Sequence, residues 1–173
     1  MDVADGFLEF GKYIMMWNKE DIGIDPDKRK PIYLCFFSPG GSLEINNAMI
    51  DLIEASKTPV IGVNIGVAYS AGCLMYLACH KRYAMPSATF LIHKGSGNFS
   101  GTYDEIIANI LEYQRQIADM ESYIMKKTKI TEKMLEEKFG SEWFISADEA
   151  KELGVCDEII TCIEDIFKGW SDG

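Results

Sequence analysis

Histidine is scarce in this sequence, since only His80 and His93 occur among its 173 residues. A metal site built from several histidines is therefore excluded. Cys79 stands next to His80, but no C-x-x-C motif or second histidine lies nearby, and we predict that no metal is bound. Any chemistry that pairs a serine with a histidine must use one of these two histidines.

The sequence also lacks paired cysteines. It has five, an odd number without regular spacing, which argues against a disulfide framework and favours a reducing, cytoplasmic compartment. Three of them lie in apolar runs, where a free thiol behaves as a small hydrophobic side chain. These three are Cys35, Cys73 and Cys79, and the other two are Cys156 and Cys162.

Positive charge is in deficit, because 17 lysines and arginines face 27 aspartates and glutamates, giving a net charge of −10. So acidic a surface repels phosphate backbones, and the sequence therefore disfavours nucleic-acid binding. The N-terminus carries Asp2 and Asp5 without a basic segment, which is not typical of a signal peptide. No linker, repeat or low-complexity stretch divides the chain, so we predict one domain over residues 1–173.

Only one run without charge, residues 58–79, is long enough to span a bilayer. It is interrupted by Pro59, Gly62, Gly66 and Gly72, and its first half is β-branched whereas its second half is rich in Leu, Met and Ala. This pattern predicts a buried strand, a tight turn and a buried helix, and no membrane association.

Strand and helix patterns alternate along the chain, which is typical of an α/β fold with a parallel sheet between helices. An amphipathic helix over residues 3–17 places Phe7, Phe10, Ile14 and Trp17 on one face. Strands are predicted over residues 31–37, 60–65, 88–92 and 157–160. Helices are predicted over residues 43–57, 71–79, 131–138 and 147–153.

The longest pattern predicts a helix from Tyr103 to Lys127, about 37 Å in length. Its apolar residues follow a spacing close to a heptad seam. One interpretation is that this face packs on the sheet. The other, which the length favours, is that the helix overhangs the domain and pairs with another subunit. The seam consists of Ile106, Ile110, Tyr113, Ile117, Met120 and Ile124.

Each histidine has a different context. His80 lies in a Cys-His-Lys-Arg segment that we interpret as a basic surface turn, with His80 solvated. His93 ends an apolar strand and precedes the glycine-rich loop of residues 95–101, where open α/β sheets place their ligands. We therefore favour His93 as a general base over a purely structural histidine.

Ser70 stands between the second strand and the buried helix, in the segment Gly-Val-Ala-Tyr-Ser-Ala-Gly of residues 66–72. A serine that opens a helix can be only an N-cap. As a nucleophile, however, it would have the positive end of the helix dipole beside it and small neighbours that leave room for a carbonyl. Position 68 is Ala, so the segment is not the G-x-S-x-G elbow of α/β-hydrolases.

An oxyanion hole needs two converging N–H groups. One would belong to Ala71, directly after the serine. The other would belong to Gly40 or Gly41, because glycine lets the backbone approach a ligand closely.

Five motifs follow one another along the sequence. They are Ser-Pro-Gly-Gly-Ser at 38–42, the serine segment at 66–72, Lys-Arg and Met-Pro within 81–86, Leu-Ile-His at 91–93 and Phe-Ile-Ser-Ala-Asp-Glu-Ala at 144–150. Their order is typical of the Clp protease proteolytic subunit family, which the sequence resembles over residues 5–160. The resemblance implies a crotonase-like fold of stacked β-β-α units, with residues 103–127 as a protruding handle helix.

The same resemblance implies a serine endopeptidase that acts through an acyl-enzyme and needs no cofactor. Ser70 would be the nucleophile, His93 the base, and Gly41 and Ala71 the oxyanion donors. It also implies stacked heptameric rings that enclose the active sites and receive unfolded polypeptides from an AAA+ ATPase.

The sequence departs from the family in two ways. The third triad member is expected just before the Phe-Ile-Ser-Ala motif, and an alignment without gaps places Lys138 there, with Glu136, Glu137 or Glu142 as substitutes. A lysine cannot hold an imidazolium in place. The chain also starts near the first helix, without the axial segment that precedes it in the family.

Three other functions remain open from the sequence. Lys138 motivates a structural ring subunit with impaired catalysis, although the presence of both Ser70 and His93 argues against it. A crotonase-type acyl-CoA enzyme would use the same fold and a similar oxyanion hole. A membrane-linked peptidase would need a Ser-Lys pair, with Lys81, Lys94 or Lys138 as the base.

Overall fold

The computed structural model describes residues 3–138 and 140–167, and the side chains of residues 3–8, including Phe7, lie outside that description. The helices are α1 (Val3–Glu20), α2 (Leu43–Ala55), α3 (Ala71–Ala78), α4 (Tyr103–Lys127), α5 (Glu132–Lys138) and α6 (Ala147–Glu152). The strands are β1 (Ile32–Ser38), β2 (Val60–Tyr69), β3 (Lys81–Ala84), β4 (Thr89–Ile92), β5 (Trp143–Ser146) and β6 (Glu158–Ile159). All predicted elements are present, and β3 and β5 are additional.

The sheet is organised around β2, which is parallel to β1 along one edge. Along the other edge β2 pairs first with β3 and then with β4, again in parallel, and β6 is parallel to β3. The predicted parallel arrangement is therefore confirmed for these strands. β5 differs, because the connection through α4 and α5 brings the chain back antiparallel to β4, with Trp143 opposite Ile92.

The exchange of partners along β2 occurs at Asn64, whose side chain is fully buried. Its Nδ2 donates to the Thr89 carbonyl at 3.0 Å, and its Oδ1 accepts from the Gly66 N–H at 3.0 Å. Its carbonyl accepts from the Met85 N–H as β3 ends. These bonds satisfy a buried amide and fix the point where β4 begins, and thus the height of the residues that follow β4.

The uncharged run of residues 58–79 folds as β2, a sharp turn and the buried helix α3, as predicted. Tyr76 of α3 lies between Phe36 of β1 and Phe90 of β4, with ring centroids 5.2 and 5.1 Å apart. The centre of the sheet therefore rests on α3. Within residues 3–138 and 140–167, no helix is both long and apolar enough to cross a membrane.

Residues 79–82 do not form the predicted surface turn, because Lys81 and Arg82 open strand β3. Their charges are paired with a distant segment. Lys81 Nζ lies 2.6 Å from Glu158, and Arg82 binds Asp157 through both its side chain and its backbone N–H. The acidic partners lie on or beside β6, so two basic residues are accommodated in a strand.

His80 is exposed, as predicted, but it has a structural role at the start of β2. Its Nδ1 accepts from the Val60 N–H at 3.0 Å, while its own N–H donates to the Val60 carbonyl at 2.8 Å. Partial burial lowers the pKa of the His80 imidazole. The folded protein therefore favours neutral His80, since a protonated Nδ1 cannot accept this bond.

We expect this contact to make stability depend on pH. Because the pKa of His80 is lower in the folded state, its contribution is complete above the unfolded pKa of about 6.5 and is lost as pH falls below it. Urea unfolding at pH 7.5 and 5.5 measures the loss. His80→Asn is the control, because its Oδ1 can accept the same bond without titrating. An equal pH dependence in both proteins would contradict this assignment.

The cysteines agree only partly with their predicted burial. Cys73 and Cys79 are buried, and burial raises the pKa of each thiol to about 12, so both remain protonated hydrophobic side chains. Cys35 is exposed, contrary to the prediction, because β1 alternates and turns Tyr33, Cys35 and Phe37 away from the core. An apolar run in the sequence therefore does not show that both faces of the strand are buried.

Helix α4 has the predicted bounds and begins in a capping box. The Glu105 carboxylate accepts from the Thr102 N–H at 2.7 Å, and the Thr102 hydroxyl accepts from the Glu105 N–H. Met120 and Ile124 of its second half are buried, whereas the first half exposes Ile107, Ile110 and Leu111, the last at 60%. The predicted seam is therefore buried in the domain only toward its C-terminal end.

Candidate active site

Ser70 lies in the sharp turn between β2 and α3, with φ of 53° and ψ of −124°. It is the one non-glycine residue with positive φ in the described ranges. Such a conformation costs on the order of 1–3 kcal/mol and persists only where the surroundings enforce it. Its N–H donates to the Leu91 carbonyl of β4 at 2.8 Å, which holds the turn against the neighbouring strand.

Ser70 occupies the N-cap position of α3, but its side chain makes no capping hydrogen bond to the helix. Its Oγ instead lies 2.8 Å from Nε2 of His93. The register of the sheet explains this contact. Tyr69 of β2 pairs with Leu91 of β4, and Ser70 and His93 follow these two residues along the chain. The sharp turn has the geometry of a nucleophile elbow, although position 68 is Ala.

Glu142 is the acid that reaches His93. Its Oε1 lies 4.0 Å from Nδ1 of His93, on the side of the ring opposite Ser70. The antiparallel pairing of β4 with β5 places it there, since Ile92 lies opposite Trp143 and the next residues outward are the histidine and the glutamate. At 4.0 Å the two groups interact electrostatically but are not hydrogen-bonded.

The other residues considered for this position point elsewhere. Lys138 Nζ lies over the Trp143 ring, 5.8 Å from its centroid, and Glu137 pairs with Lys133 on α5. Glu136 is exposed on the same helix. Among Lys138 and the three glutamates considered, Glu142 is therefore the one that the strand register brings beside His93.

The lysines of a Ser-Lys site are also engaged away from Ser70. Lys81 binds Glu158, and Lys94 Nζ lies 3.5 Å from Glu121 of α4. Among the described residues, a histidine and not a lysine contacts the Ser70 hydroxyl. The geometry therefore favours serine–histidine chemistry over a serine–lysine pair.

The loop of residues 38–42 contacts the turn of the serine. Gly40 has φ of 102°, and a Cβ at this position would lie 2.9 Å from the Cβ of Ser70. Its N–H donates to the Ser38 hydroxyl at 3.2 Å, whereas Gly41 lines the same cleft as Ser70. Of the two glycines, Gly41 is thus the better candidate for an oxyanion donor, and the role of Ala71, at the first turn of α3, stays a prediction.

Ser70 and His93 open into a cleft of about 480 Å³ between the start of α2, the loop after β4 and the middle of α4. Its walls combine apolar side chains with charged ones at the rim. A second cavity of about 350 Å³ shares Leu43, Gln116 and Met120 with it and continues between α2 and α4. The apolar walls include Leu43, Leu91 and Met120, and the charged residues are Glu44, Lys94 and Glu142.

One residue of this site was assigned to a different role by the sequence. Tyr113 was expected only as a member of the α4 seam, but its hydroxyl donates to the Lys94 carbonyl at 2.8 Å, next to His93. The available signal was its polarity, since it is the tyrosine in a seam that is otherwise aliphatic.

Comparisons with known proteins agree with this arrangement. The family model described as Clp protease matches residues 24–162. ATP-dependent Clp protease proteolytic subunit 2 of Treponema denticola is 30% identical over 139 residues, which cover 79% of this chain and 70% of that protein. A mutant of ClpP1 from Listeria monocytogenes superposes with a TM-score of 0.73 at 25% identity, covering 91% of this chain and 88% of the other. The predicted fold class and family are confirmed, and the chain belongs to the Clp protease family as a serine endopeptidase subunit.

Proposed function

We propose that this subunit cleaves peptide bonds with Ser70 as nucleophile and His93 as general base. The observation that carries this proposal is the 2.8 Å contact between Ser70 Oγ and His93 Nε2, made by a serine held in a strained turn. A strained conformation that directs a hydroxyl away from helix capping and toward an imidazole favours a catalytic role over a structural one.

In this mechanism Ser70 Oγ attacks the carbonyl carbon while its proton passes to His93 Nε2. The N–H groups of Gly41 and Ala71 donate to the oxyanion of the tetrahedral intermediate. The intermediate collapses to an acyl-enzyme as His93 gives its proton to the leaving amine. Water, deprotonated by His93, then hydrolyses the ester and restores Ser70, so no cofactor is required.

Glu142 takes the part of the orienting acid in this proposal. Its carboxylate lies beside Nδ1 of His93 and favours the ring orientation that directs Nε2 at Ser70. The distance of 4.0 Å and the 60% exposure of the Glu142 side chain make this interaction weak in the single chain. Catalytic contacts are often long in unliganded structures and shorten when substrate binds.

The substrates that we propose are unfolded polypeptides delivered by an AAA+ ATPase to a cytoplasmic ring of stacked heptamers. Family membership supports this, as does the exposure of apolar residues on the first half of α4. An isolated subunit would leave these side chains in water, whereas a facing subunit would cover them.

The decisive experiment is intact-mass analysis after incubation with a fluorophosphonate probe. We expect one adduct on the native protein and none on Ser70→Ala, because only an activated serine reacts. The absence of an adduct on a well-folded native oligomer would contradict the proposal and favour a structural ring subunit.

We also expect oligomerisation to depend on the seam of α4. Replacing both Ile110 and Ile117 by Glu introduces charges where a partner helix would pack, and should lower oligomer mass and peptidase activity together. Light scattering and peptide hydrolysis measure the two effects. Glu105→Gln, at the solvated start of the same helix, is the matched control. A monomeric double mutant with full activity would contradict this coupling.

A further inference from the structure

The residue that follows the proposed base is bound to α4 at two points. The Tyr113 hydroxyl donates to the Lys94 carbonyl at 2.8 Å, and the Lys94 ammonium lies 3.5 Å from the Glu121 carboxylate. His93 is thus held on one side by the end of β4 and on the other by side chains of the long helix.

The segment after His93 depends on such contacts because residues 93–100 form neither helix nor strand. Tyr113 contacts this segment again farther along, where its ring packs edge-on against Phe99 with centroids 5.6 Å apart. Gly95 has φ of 79°, and a Cβ there would lie 3.3 Å from the Tyr113 hydroxyl. Tyr113 therefore contacts the loop at Lys94 and at Phe99, and its hydroxyl leaves little room for a side chain at Gly95.

Such an anchor is needed because the interaction between Glu142 and the His93 imidazole is weak. Glu142 is exposed and lies 4.0 Å from Nδ1, too far for a hydrogen bond, so it does not fix the imidazole by itself. The ion pair of Lys94 with Glu121 is also partly exposed and contributes little. The bond from the Tyr113 hydroxyl to the Lys94 carbonyl, at 2.8 Å, acts directly on the backbone next to His93.

We propose that Tyr113 is a positioning residue for the peptidase reaction, and that its hydroxyl holds the Lys94 carbonyl so that the imidazole of His93 stays directed at Ser70. This inference rests on the proposed role of His93. Through Tyr113 the orientation of the base would depend on the placement of α4.

The test compares Tyr113→Phe with Tyr123→Phe. Both variants remove one hydroxyl from the same helix, but Tyr123 donates to Glu54, away from His93, at 2.7 Å. We expect Tyr113→Phe to lower kcat for a short peptide by about three- to tenfold with KM unchanged, as suits the loss of one hydrogen bond. Tyr123→Phe should lower thermal stability and leave kcat unchanged.

A second measurement separates positioning from general stability. The rate of fluorophosphonate labelling is measured for Tyr113→Phe in the native background and in a His93→Ala background. We expect slower labelling in the first and no further change in the second, because Tyr113 acts only through the histidine. An equal slowing in both backgrounds, or equal kcat in the two tyrosine variants, would overturn the inference.

The outcomes also distinguish this inference from the proposed function. Native protein that is labelled at Ser70, together with an unaltered Tyr113→Phe variant, overturns the role of Tyr113 alone. Native protein that is never labelled, while folded and oligomeric, overturns both proposals.

Discussion

Replacing either Ser70 or His93 by alanine is expected to lower kcat for a peptide substrate by roughly 10⁶-fold, as for a well-studied serine–histidine peptidase. In the proposed mechanism the two residues act as a unit, because the hydroxyl of Ser70 is a weak nucleophile until Nε2 of His93, 2.8 Å away, removes its proton. The double mutant should therefore be no slower than the poorer single mutant. Peptide hydrolysis under pseudo-first-order conditions measures all three variants.

His80→Ala provides the matched control for the loss of an imidazole. This variant removes the contact with Val60 and is expected to lower stability, while kcat/KM at a permissive temperature remains near the native value. Glu142→Gln should lower kcat/KM by more than His80→Ala and by less than His93→Ala. The loss should be well below the roughly 10⁴-fold that follows removal of a buried orienting aspartate. If Ser70→Ala retained native hydrolysis, the assignment of the nucleophile would be wrong.

The second large effect is expected at Gly40. Alanine there must adopt φ of 102° and also brings its Cβ to 2.9 Å from the Cβ of Ser70 and from the Tyr69 carbonyl. Neither neighbour can move without distorting the turn that carries the nucleophile. Because a displacement of about 1 Å can cost on the order of 10²-fold in rate, we expect Gly40→Ala to lose at least that much activity.

Gly23→Ala is the control that separates the backbone strain of alanine at positive φ from the steric clash of its Cβ. Gly23 has φ of 91° but nothing within 4 Å of an added Cβ, so alanine there meets only the backbone penalty. Urea unfolding should show a loss of about 1 kcal/mol in that variant, with kcat/KM unchanged. If Gly40→Ala behaved like Gly23→Ala in both measurements, the close approach of the loop to Ser70 would not matter for catalysis.

Much of the fold could be predicted because the elements beside the site are marked by local patterns. The β-branched run of β2, the aliphatic β4 and the long seam of α4 each show their period within the segment itself. β3 was missed for a physical reason. Lys81 and Arg82 read as a solvated turn until Glu158 and Asp157 are known to pair with them, and that pairing lies far along the sequence.

The residues of the candidate site also divide into those that the sequence predicts and those that it does not. Ser70 and His93 could be proposed because the chain offers few histidines and each residue ends a recognisable strand. The acid could only be narrowed to several candidates, since the choice between Lys138 and Glu142 depends on the register of β4 against β5. The sequence marks Tyr113 only by its polarity within an aliphatic seam, which does not predict a bond to a particular backbone carbonyl.

The order of the site residues along the chain bears on when the protein becomes active during its synthesis. Ser70 and His93 leave the ribosome first, and α4 follows before Glu142. Because domains fold as units once enough of the chain has emerged, a nascent chain that ends within α4 would contain the proposed nucleophile and base but neither the anchored loop nor the proposed acid. We therefore expect the proposed site to be complete only when translation of the domain is nearly finished.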